Sequence, residues 1–150
     1  MYSAEIMEFI ISSSEKVEEE VPIVAAVAVG LDLLAVYSNQ VELRKQPWAH
    51  AEFLAIQKAC EILDTKHLDM ASIYINLEPC AFCASALEKV RIKEIFFGAY
   101  DAKCGAIVHG TRLFDQSMVK PKIIGGIQEQ RCSEIIKKFF INMRKENKNE

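Results

Sequence analysis

The order of short apolar runs and helical patterns constrains the fold of this chain more than any other feature. Runs 72–77 and 94–99 are rich in β-branched and aromatic residues, which favour strands. The segment between them, 80–90, has a helical pattern. Strands separated by a single helix are expected to pair in parallel, with helices covering the sheet. The pattern therefore predicts an α/β fold.

Elements on either side of this unit complete the predicted sheet. Apolar runs 23–30 and 33–38 surround a turn and predict a β-hairpin that adds an antiparallel edge. The run 122–127 predicts a fifth strand. Helical spacing predicts the remaining helices at 2–19, ended by Pro22, at 50–63 and at 129–146. Together these elements predict a three-layer α/β/α sandwich with a mixed five-stranded sheet and helices on both faces.

Length and composition set broad limits on the class of protein. The 150 residues predict a single domain, 1–150, and 51% hydrophobic with 26% charged residues is typical of a globular chain. No apolar run approaches the roughly 20 residues of a membrane helix, and the N-terminus carries acids where a signal peptide has basic residues. We therefore expect a cytoplasmic protein without membrane contact, whose cysteines favour metal or redox chemistry over disulfides.

One imidazole and two thiols stand at positions that suit a catalytic zinc ion. Cys80 and Cys83 are three residues apart at the predicted start of helix 80–90, so both side chains lie on one face. A helix N-terminus favours thiolates, the form in which cysteine binds metal. His50 stands at the start of another predicted helix and supplies a third ligand. A catalytic zinc site uses three protein ligands and leaves its fourth position for water.

The Cys-x-x-Cys pair has other interpretations, namely a redox pair or half of a structural zinc site. A structural site needs four ligands, and the sequence has no second Cys-x-x-Cys and no His-x-x-x-His. A redox pair of the thioredoxin type follows the first strand of its fold, whereas this pair follows several elements. The nearby Glu52 favours the catalytic interpretation, because its carboxylate can take a proton from bound water and return it to the substrate.

Longer motifs surround these residues along most of the chain. They are residues 20–22, Asn39, the segment 47–52 around His50, the segment 77–83 around the two cysteines, Arg91-Ile92, the segment 97–106, and Cys132 with Phe139-Phe140. In these motifs the chain resembles the cytidine/deoxycytidylate deaminase superfamily, whose zinc signature is a histidine, a glutamate and two cysteines. Within it, the segment 101–106 and the Phe-Phe pair near a basic C-terminus are most similar to bacterial tRNA-specific adenosine deaminases.

The resemblance implies a reaction and a role for each matching residue of the zinc signature. His50, Cys80 and Cys83 would bind one zinc ion per chain, and hydroxide on that zinc would attack C6 of adenosine. Glu52 would act as the proton shuttle, protonating the neighbouring ring nitrogen and later the departing ammonia. Adenosine would become inosine by hydrolysis. The expected fold is that of cytidine deaminases.

The resemblance also implies contacts with the anticodon loop of a tRNA, at the wobble position. Asn39 would contact the flipped base and the backbone of Ala49 would line its pocket, although an asparagine after a strand is also typical of a turn. Asp101 and Lys103 match a loop that touches the anticodon; the alternative is an ordinary polar loop. A homodimer is implied as well, with a terminal helix near the RNA that carries Lys137, Lys138, Phe139, Phe140 and Arg144.

Two other functions stay open at this point. A deaminase of free guanine, cytosine or cytidine would use the same zinc site without needing a basic helix. A non-catalytic binding subunit would have no chemical need for the Glu52 carboxylate. The chain departs from the family pattern at Val24, Trp48 and Cys104, and these departures concern the substrate pocket more than the metal chemistry.

Overall fold

The structure, a computed structural model that describes residues 2–148, is built on one five-stranded sheet. The strands are β1 (Val24–Val29), β2 (Asp32–Ser38), β3 (Ser72–Leu77), β4 (Glu94–Ala99) and β5 (Lys122–Ile124). The helices are α1 (Ala4–Ser14), α2 (Val41–Arg44), α3 (Ala51–Leu63), α4 (Ala81–Lys89) and α5 (Glu129–Lys148), with a 3-10 turn at Leu113–Asp115. Met1, Asn149 and Glu150, at the ends of the predicted domain, lie outside the described residues.

The sheet is mixed, as predicted, but one pairing differs from the sequence-based expectation. The strand order is β2-β1-β3-β4-β5. β1 pairs antiparallel with β2 and with β3, whereas β4 pairs parallel with β3 and with β5. Parallel pairing across a single helix is therefore correct for β3 and β4. It is wrong for β2 and β3, which are not neighbours, because β3 joins the sheet at the free edge of β1.

Helices cover both faces of the sheet, which confirms the predicted three-layer arrangement. One core lies between the sheet and the side of α3 and α4, and contains Ile73 and Phe97. The other core lies on the side of α1 and α5, and contains Tyr74 and Phe96. Successive strand residues point to opposite faces, so a strand with both faces covered needs apolar residues at consecutive positions. This requirement explains the continuous apolar runs of β3 and β4.

The first helix is shorter than the predicted 2–19. It begins after Ser3, whose Oγ accepts a hydrogen bond from the N–H of Ile6 at 3.2 Å and so caps the helix. It ends at Ser14, whose Oγ donates to the carbonyl of Ile11 at 2.6 Å. Serine side chains compete with the backbone for its hydrogen bonds, so a serine-rich end favours termination. The helical periodicity of the apolar residues continued beyond this point and set the predicted boundary too late.

The last helix runs to Lys148, two residues beyond its predicted end, and its second half leaves the core. Cys132 is the buried residue of this helix, and residues 141–148 are all exposed. Met143, which continues the helical spacing of Ile135, Ile136 and Phe139, is 39% exposed. The amphipathic pattern therefore overstated how far the helix packs on the sheet. Neither α5 nor any other helix within residues 2–148 has the length and hydropathy needed to cross a membrane.

Two buried polar side chains fix loops around β1 and α2. Asn76 is fully buried in β3; its Oδ1 accepts the N–H of Val24 at 2.9 Å, and its Nδ2 donates to the carbonyl of Pro22 at 2.8 Å. This pair of bonds replaces a backbone pairing where β1 begins. The carboxylate of Glu20 accepts the N–H groups of Glu42 and Leu43 at 2.9 and 2.8 Å, which caps the short α2. Neither contact, nor the helix α2 itself, is predicted by the sequence patterns.

Candidate metal centre and active site

The candidate site lies at one end of the sheet, at the carboxyl ends of three strands. β2, β3 and β4 all run in one direction, because β1 is antiparallel to β2 and β3, and β4 is parallel to β3. Their last residues, Ser38, Leu77 and Ala99, therefore lie at the same end of the sheet. α3 and α4 begin at that end. Ligands of open α/β sheets bind outside the carboxyl ends of the strands, which is where the predicted site residues are.

The structure brings His50, Cys80 and Cys83 together into one group that could hold a metal ion. Nδ1 of His50 lies 3.6 Å from Sγ of Cys80 and 3.4 Å from Sγ of Cys83. A single imidazole lone pair accepts one S–H hydrogen bond, whereas two sulfurs and one nitrogen can all bind the same ion. Within residues 2–148, no other group of three His, Cys, Asp or Glu side chains has this arrangement.

The three side chains strongly affect each other's protonation. A hydrogen bond from Cys83 lowers the pKa of Cys80 to about 4, with further help from His50, although partial burial opposes this shift. The same hydrogen bond, together with burial, raises the pKa of Cys83 well above its ordinary value. The hydrogen bond with Cys80 raises the pKa of His50. The group thus combines a ready thiolate with protons that a cation would displace on binding.

Glu52 lies in the first turn of α3 and points inward beside this group. It is buried, with 4% of the residue exposed. Burial raises the pKa of the Glu52 carboxyl to about 7, and the negative charge of Cys80 adds to this shift. The pKa of the neighbouring Cys83 is raised in turn by the Glu52 charge. A carboxyl with a pKa near 7 can both accept and release a proton at neutral pH, as general acid–base catalysis requires.

Asn39 and Ala49 lie on the segment that connects β2 to His50. The N–H of Gln40 donates to the carbonyl of Ala49 at 3.0 Å, so the segment folds back on itself. Oδ1 of Asn39 accepts the N–H of Val41 at 3.1 Å, which is the turn expected of an asparagine at this position. The Nδ2 of Asn39 makes no hydrogen bond to the described part of the chain, and this leaves a donor for a ligand. The N–H of the buried Ala49 is also bonded to neighbouring backbone.

Asp101 and Lys103 lie in the loop that follows β4. Oδ1 of Asp101 accepts the N–H of Lys103 at 3.2 Å and that of Cys104 at 3.0 Å. This aspartate therefore shapes a polar turn, which is the alternative that the sequence analysis left open. Lys103 is exposed to solvent. Its contact with RNA, and that of Asp101, stay predictions.

Glu78 and His109 also lie at this end of the sheet, and the sequence patterns predict a role for neither. Oε1 of Glu78 lies 2.8 Å from Nδ1 of His109. Burial raises the pKa of Glu78, but hydrogen bonds from the N–H of Asp101 and from the His109 ring outweigh it and leave this pKa below its ordinary value. The separation of 31 residues hides the pair from any local motif. The available signal was an acidic residue between an apolar strand and Pro79.

Comparison with known proteins identifies the family. The sequence profile of the MafB19-like deaminases matches residues 4–144 of the chain. The chain belongs to this deaminase family. A tRNA-specific adenosine deaminase of Rickettsia typhi is 37% identical over 131 residues, which are 85% of this chain and 88% of the relative. The tRNA-specific adenosine deaminase of Bacillus subtilis is 34% identical over 142 residues, covering 92% of this chain and 88% of the relative.

A solved structure gives the same result for the fold. It is described as part of work on A-to-I editing by tRNA:A34 deaminases at the wobble position of transfer RNA. Its TM-score to this deaminase is 0.84 at 34% sequence identity, and the match covers 89% of this chain and 99% of that chain. The cytidine deaminase-like fold expected from the motifs is confirmed, and so is the deaminase family.

Proposed function

We propose that this deaminase converts adenosine to inosine at the wobble position of a tRNA. The observation that carries the proposal is its similarity, over 85% of the chain, to a tRNA-specific adenosine deaminase. The match to a structure from the A34 deaminase class supports the same substrate. Because the family profile spans residues 4–144, we take residues 1–150 to act as one catalytic domain. A tRNA substrate supports a cytoplasmic location.

We propose that His50, Cys80 and Cys83 bind one zinc ion per chain. Zinc–sulfur bonds of about 2.3 Å and zinc–nitrogen bonds of about 2.0 Å, at the tetrahedral angle, separate the two donor atoms by about 3.5 Å. The nitrogen-to-sulfur distances of 3.6 and 3.4 Å in this group fit that value. Three protein ligands leave one position open. Bound zinc supplies Lewis-acid activation of water for nucleophilic attack.

Glu52 is the proposed proton carrier of the reaction. Its carboxylate takes a proton from the attacking water and delivers it to the ring nitrogen beside C6 of adenine. A second proton passes from the tetrahedral adduct through Glu52 to the amino group, which leaves as ammonia, so that water and adenosine yield inosine and ammonia. The pKa of about 7 supports this role, because both protonation states are then accessible at neutral pH.

The substrate contacts proposed for this enzyme come from the loops that follow β2 and β4, at the same end of the sheet as the metal group. The Nδ2 donor of Asn39 suits an acceptor atom of the flipped base, and the Ala49 backbone lines the pocket beside His50. Asp101 and Lys103 extend from the loop after β4, where an exposed lysine suits a phosphate. These roles rest on the matching motifs and on the position of the loops beside the metal group.

We propose further that the protein acts as a homodimer. Trp48 lies two residues before His50 and Phe82 lies between the two cysteines, and these two side chains are 51% and 45% exposed. The Phe82 ring contacts the His50 ring edge to face, with centroids 6.2 Å apart. Large exposed apolar side chains beside a catalytic group are typical of a surface that another chain covers. The start of α4 would then form part of the subunit contact.

The experiment that tests the function compares substrates on the purified, zinc-loaded protein. We would offer an anticodon stem-loop with adenosine at the wobble position, a matched stem-loop with guanosine there, and free guanine, cytosine and cytidine. We expect inosine and ammonia from the first substrate alone. Turnover of only a free base or nucleoside would overturn the tRNA assignment while leaving the zinc chemistry in place. Analytical ultracentrifugation tests the dimer, and a monomer at micromolar concentration would contradict it.

A further inference from the structure

A single buried carboxylate organises the loop after β4. Glu78 follows β3 directly, and only 2% of the residue is exposed. Its Oε1 accepts the N–H of Asp101 at 3.0 Å and faces Nδ1 of His109 at 2.8 Å. Its Oε2 accepts three consecutive backbone N–H groups, those of Ile107, Val108 and His109, at 3.1, 3.0 and 3.1 Å. One side chain thus bonds to both ends of the segment 101–109.

The same segment is fastened to the start of α4, which carries the metal ligands. The N–H of Ala106 donates to the carbonyl of Pro79 at 2.9 Å, and Gly105 forms an isolated antiparallel bridge with Cys80. Gly105 has no room for a side chain. A β-carbon there would lie 2.5 Å from Cδ and 2.6 Å from Oε2 of Glu78. The loop therefore packs directly on the carboxylate of Glu78, and Glu78 lies two residues before Cys80, the first cysteine ligand.

We propose that Glu78 is a positioning residue of the deaminase: it fixes the loop that carries Asp101 and Lys103 relative to Cys80. The inference rests on the proposed function, because that loop is the proposed RNA contact. If the loop is already fixed, substrate binding does not have to include the entropy cost of ordering it. Glu78 itself acts through the loop and needs no contact with the substrate.

The geometry requires a carboxylate at this position. Four backbone N–H groups and one ring nitrogen converge on two oxygens, and an ionised carboxylate accepts hydrogen bonds at both. A glutamine has one oxygen and one NH₂ group, so one end of the loop would meet a donor where it needs an acceptor. His109 adds a side-chain bond, whereas the four backbone bonds remain without it. Replacing Glu78 should therefore disturb the loop more than replacing His109.

The test compares Glu78→Gln with His109→Gln and with the control Glu61→Gln, which makes the same chemical change at an exposed position of α3. We expect Glu78→Gln to keep its zinc and to exchange the amide hydrogens of 101 and 107–109 about tenfold faster or more. The KM for the stem-loop should rise about tenfold while kcat changes less than about threefold, because fixed loop contacts stabilise the ground state and transition state alike. His109→Gln should show a smaller increase in loop exchange and in KM, and Glu61→Gln should show no increase in either.

Different results would overturn the inference. Unchanged loop exchange in Glu78→Gln would show that the carboxylate does not fix the loop. Loss of zinc, or a fall in kcat with unchanged KM, would show that Glu78 supports the metal ligands instead. A different case is a wild-type protein that shows protected loop amides and no inosine formation in the stem-loop. That result would overturn the proposed function and leave the contact between Glu78 and the loop in place. If Glu78→Gln does not fold, Gly105→Ala crowds both the carboxylate and the backbone carbonyl of Asp101, so it disturbs the contact from the side of the loop and should also raise KM.

Discussion

Nδ1 of His50 lies 3.4 Å from Sγ of Cys83, although the two residues are 33 positions apart in the chain. Cys83 is the buried thiol of the candidate metal group, so Cys83→Ala removes one proposed ligand without changing the surface. We expect zinc per chain to fall from about one to well below half after dialysis, measured by inductively coupled plasma mass spectrometry. Cys60→Ala, which alters a thiol outside the group, should retain its zinc. Full zinc retention by Cys83→Ala would refute the ligand assignment.

The buried carboxyl of Glu52 provides the second prediction. Glu52→Gln keeps the size of the side chain but cannot accept and return a proton. We expect zinc content and the circular dichroism spectrum to match wild type, with kcat lower by about 10²- to 10⁴-fold. The measurement is single-turnover inosine formation in the stem-loop. Activity close to wild type would eliminate Glu52 as the proton carrier.

The ion pairs between Arg131 of α5 and two glutamates, one in α1 and one just after it, predict a pH-dependent stability. Arg131 lies 2.8 Å from the carboxylates of Glu8 and Glu15, and its hydrogen bonds are the main cause that lowers the pKa of Glu8. A carboxyl with a lowered pKa stabilises the fold above its unfolded value of 4.5, and this contribution is lost as pH falls through the folded value. Arg131→Met should therefore lower Tm at pH 7, and the difference from wild type should shrink below pH 4.5.

The control for this experiment is Arg112→Met, because Arg112 pairs with Asp115 only three residues away. Such an exposed local pair contributes little to stability. The Tm of this variant should stay close to wild type at every pH. All proteins should be compared without metal, so that acid release of zinc does not enter the difference. A Tm difference for Arg131→Met that is constant from pH 7 to pH 3 would contradict the prediction.

Asn76 provides a prediction about the sheet itself. Asn76→Ala leaves the N–H of Val24 and the carbonyl of Pro22 without the side-chain partner that each has inside the protein. An unsatisfied buried polar group costs about 1–3 kcal/mol, so for two such groups we expect the free energy of unfolding to fall by about 2–6 kcal/mol. Urea denaturation measures this change. Asn142→Ala, at an exposed position of α5, should alter it by less than about 0.5 kcal/mol.

Parts of the fold could be predicted because the local pattern decided them. β3 and β4 have the predicted bounds, since each is a short run of β-branched and aromatic residues with clear ends. The pairing of β3 with β1 could not be predicted from a period or a turn, because it depends on which free edge the strand joins. The end of α1 at Ser14 was missed because side-chain hydrogen bonds, and not hydrophobic spacing, terminate that helix.

The candidate site likewise contains residues that the sequence predicts and residues that it does not. Cys80 and Cys83 could be identified as candidate ligands because metal chemistry restricts both the residue types and their spacing. Glu78 and His109 could not be paired from the sequence, because hydrogen bonds across 31 residues leave no spacing rule. Asn39 and Asp101 had two possible roles in the sequence, and the structure shows that both shape turns with their side chains.

The position of β1 between β2 and β3 also has a consequence for how the protein is assembled. The helix that begins after His50 packs against β1 and β2, whereas the cysteine ligands follow β3. The native arrangement of imidazole and thiols therefore depends on the long-range pairing of β1 with β3, and such non-local contacts are slow to form. The proposed zinc ion would therefore find all three ligands in place only once the central strands have joined, so its uptake during refolding would report that step.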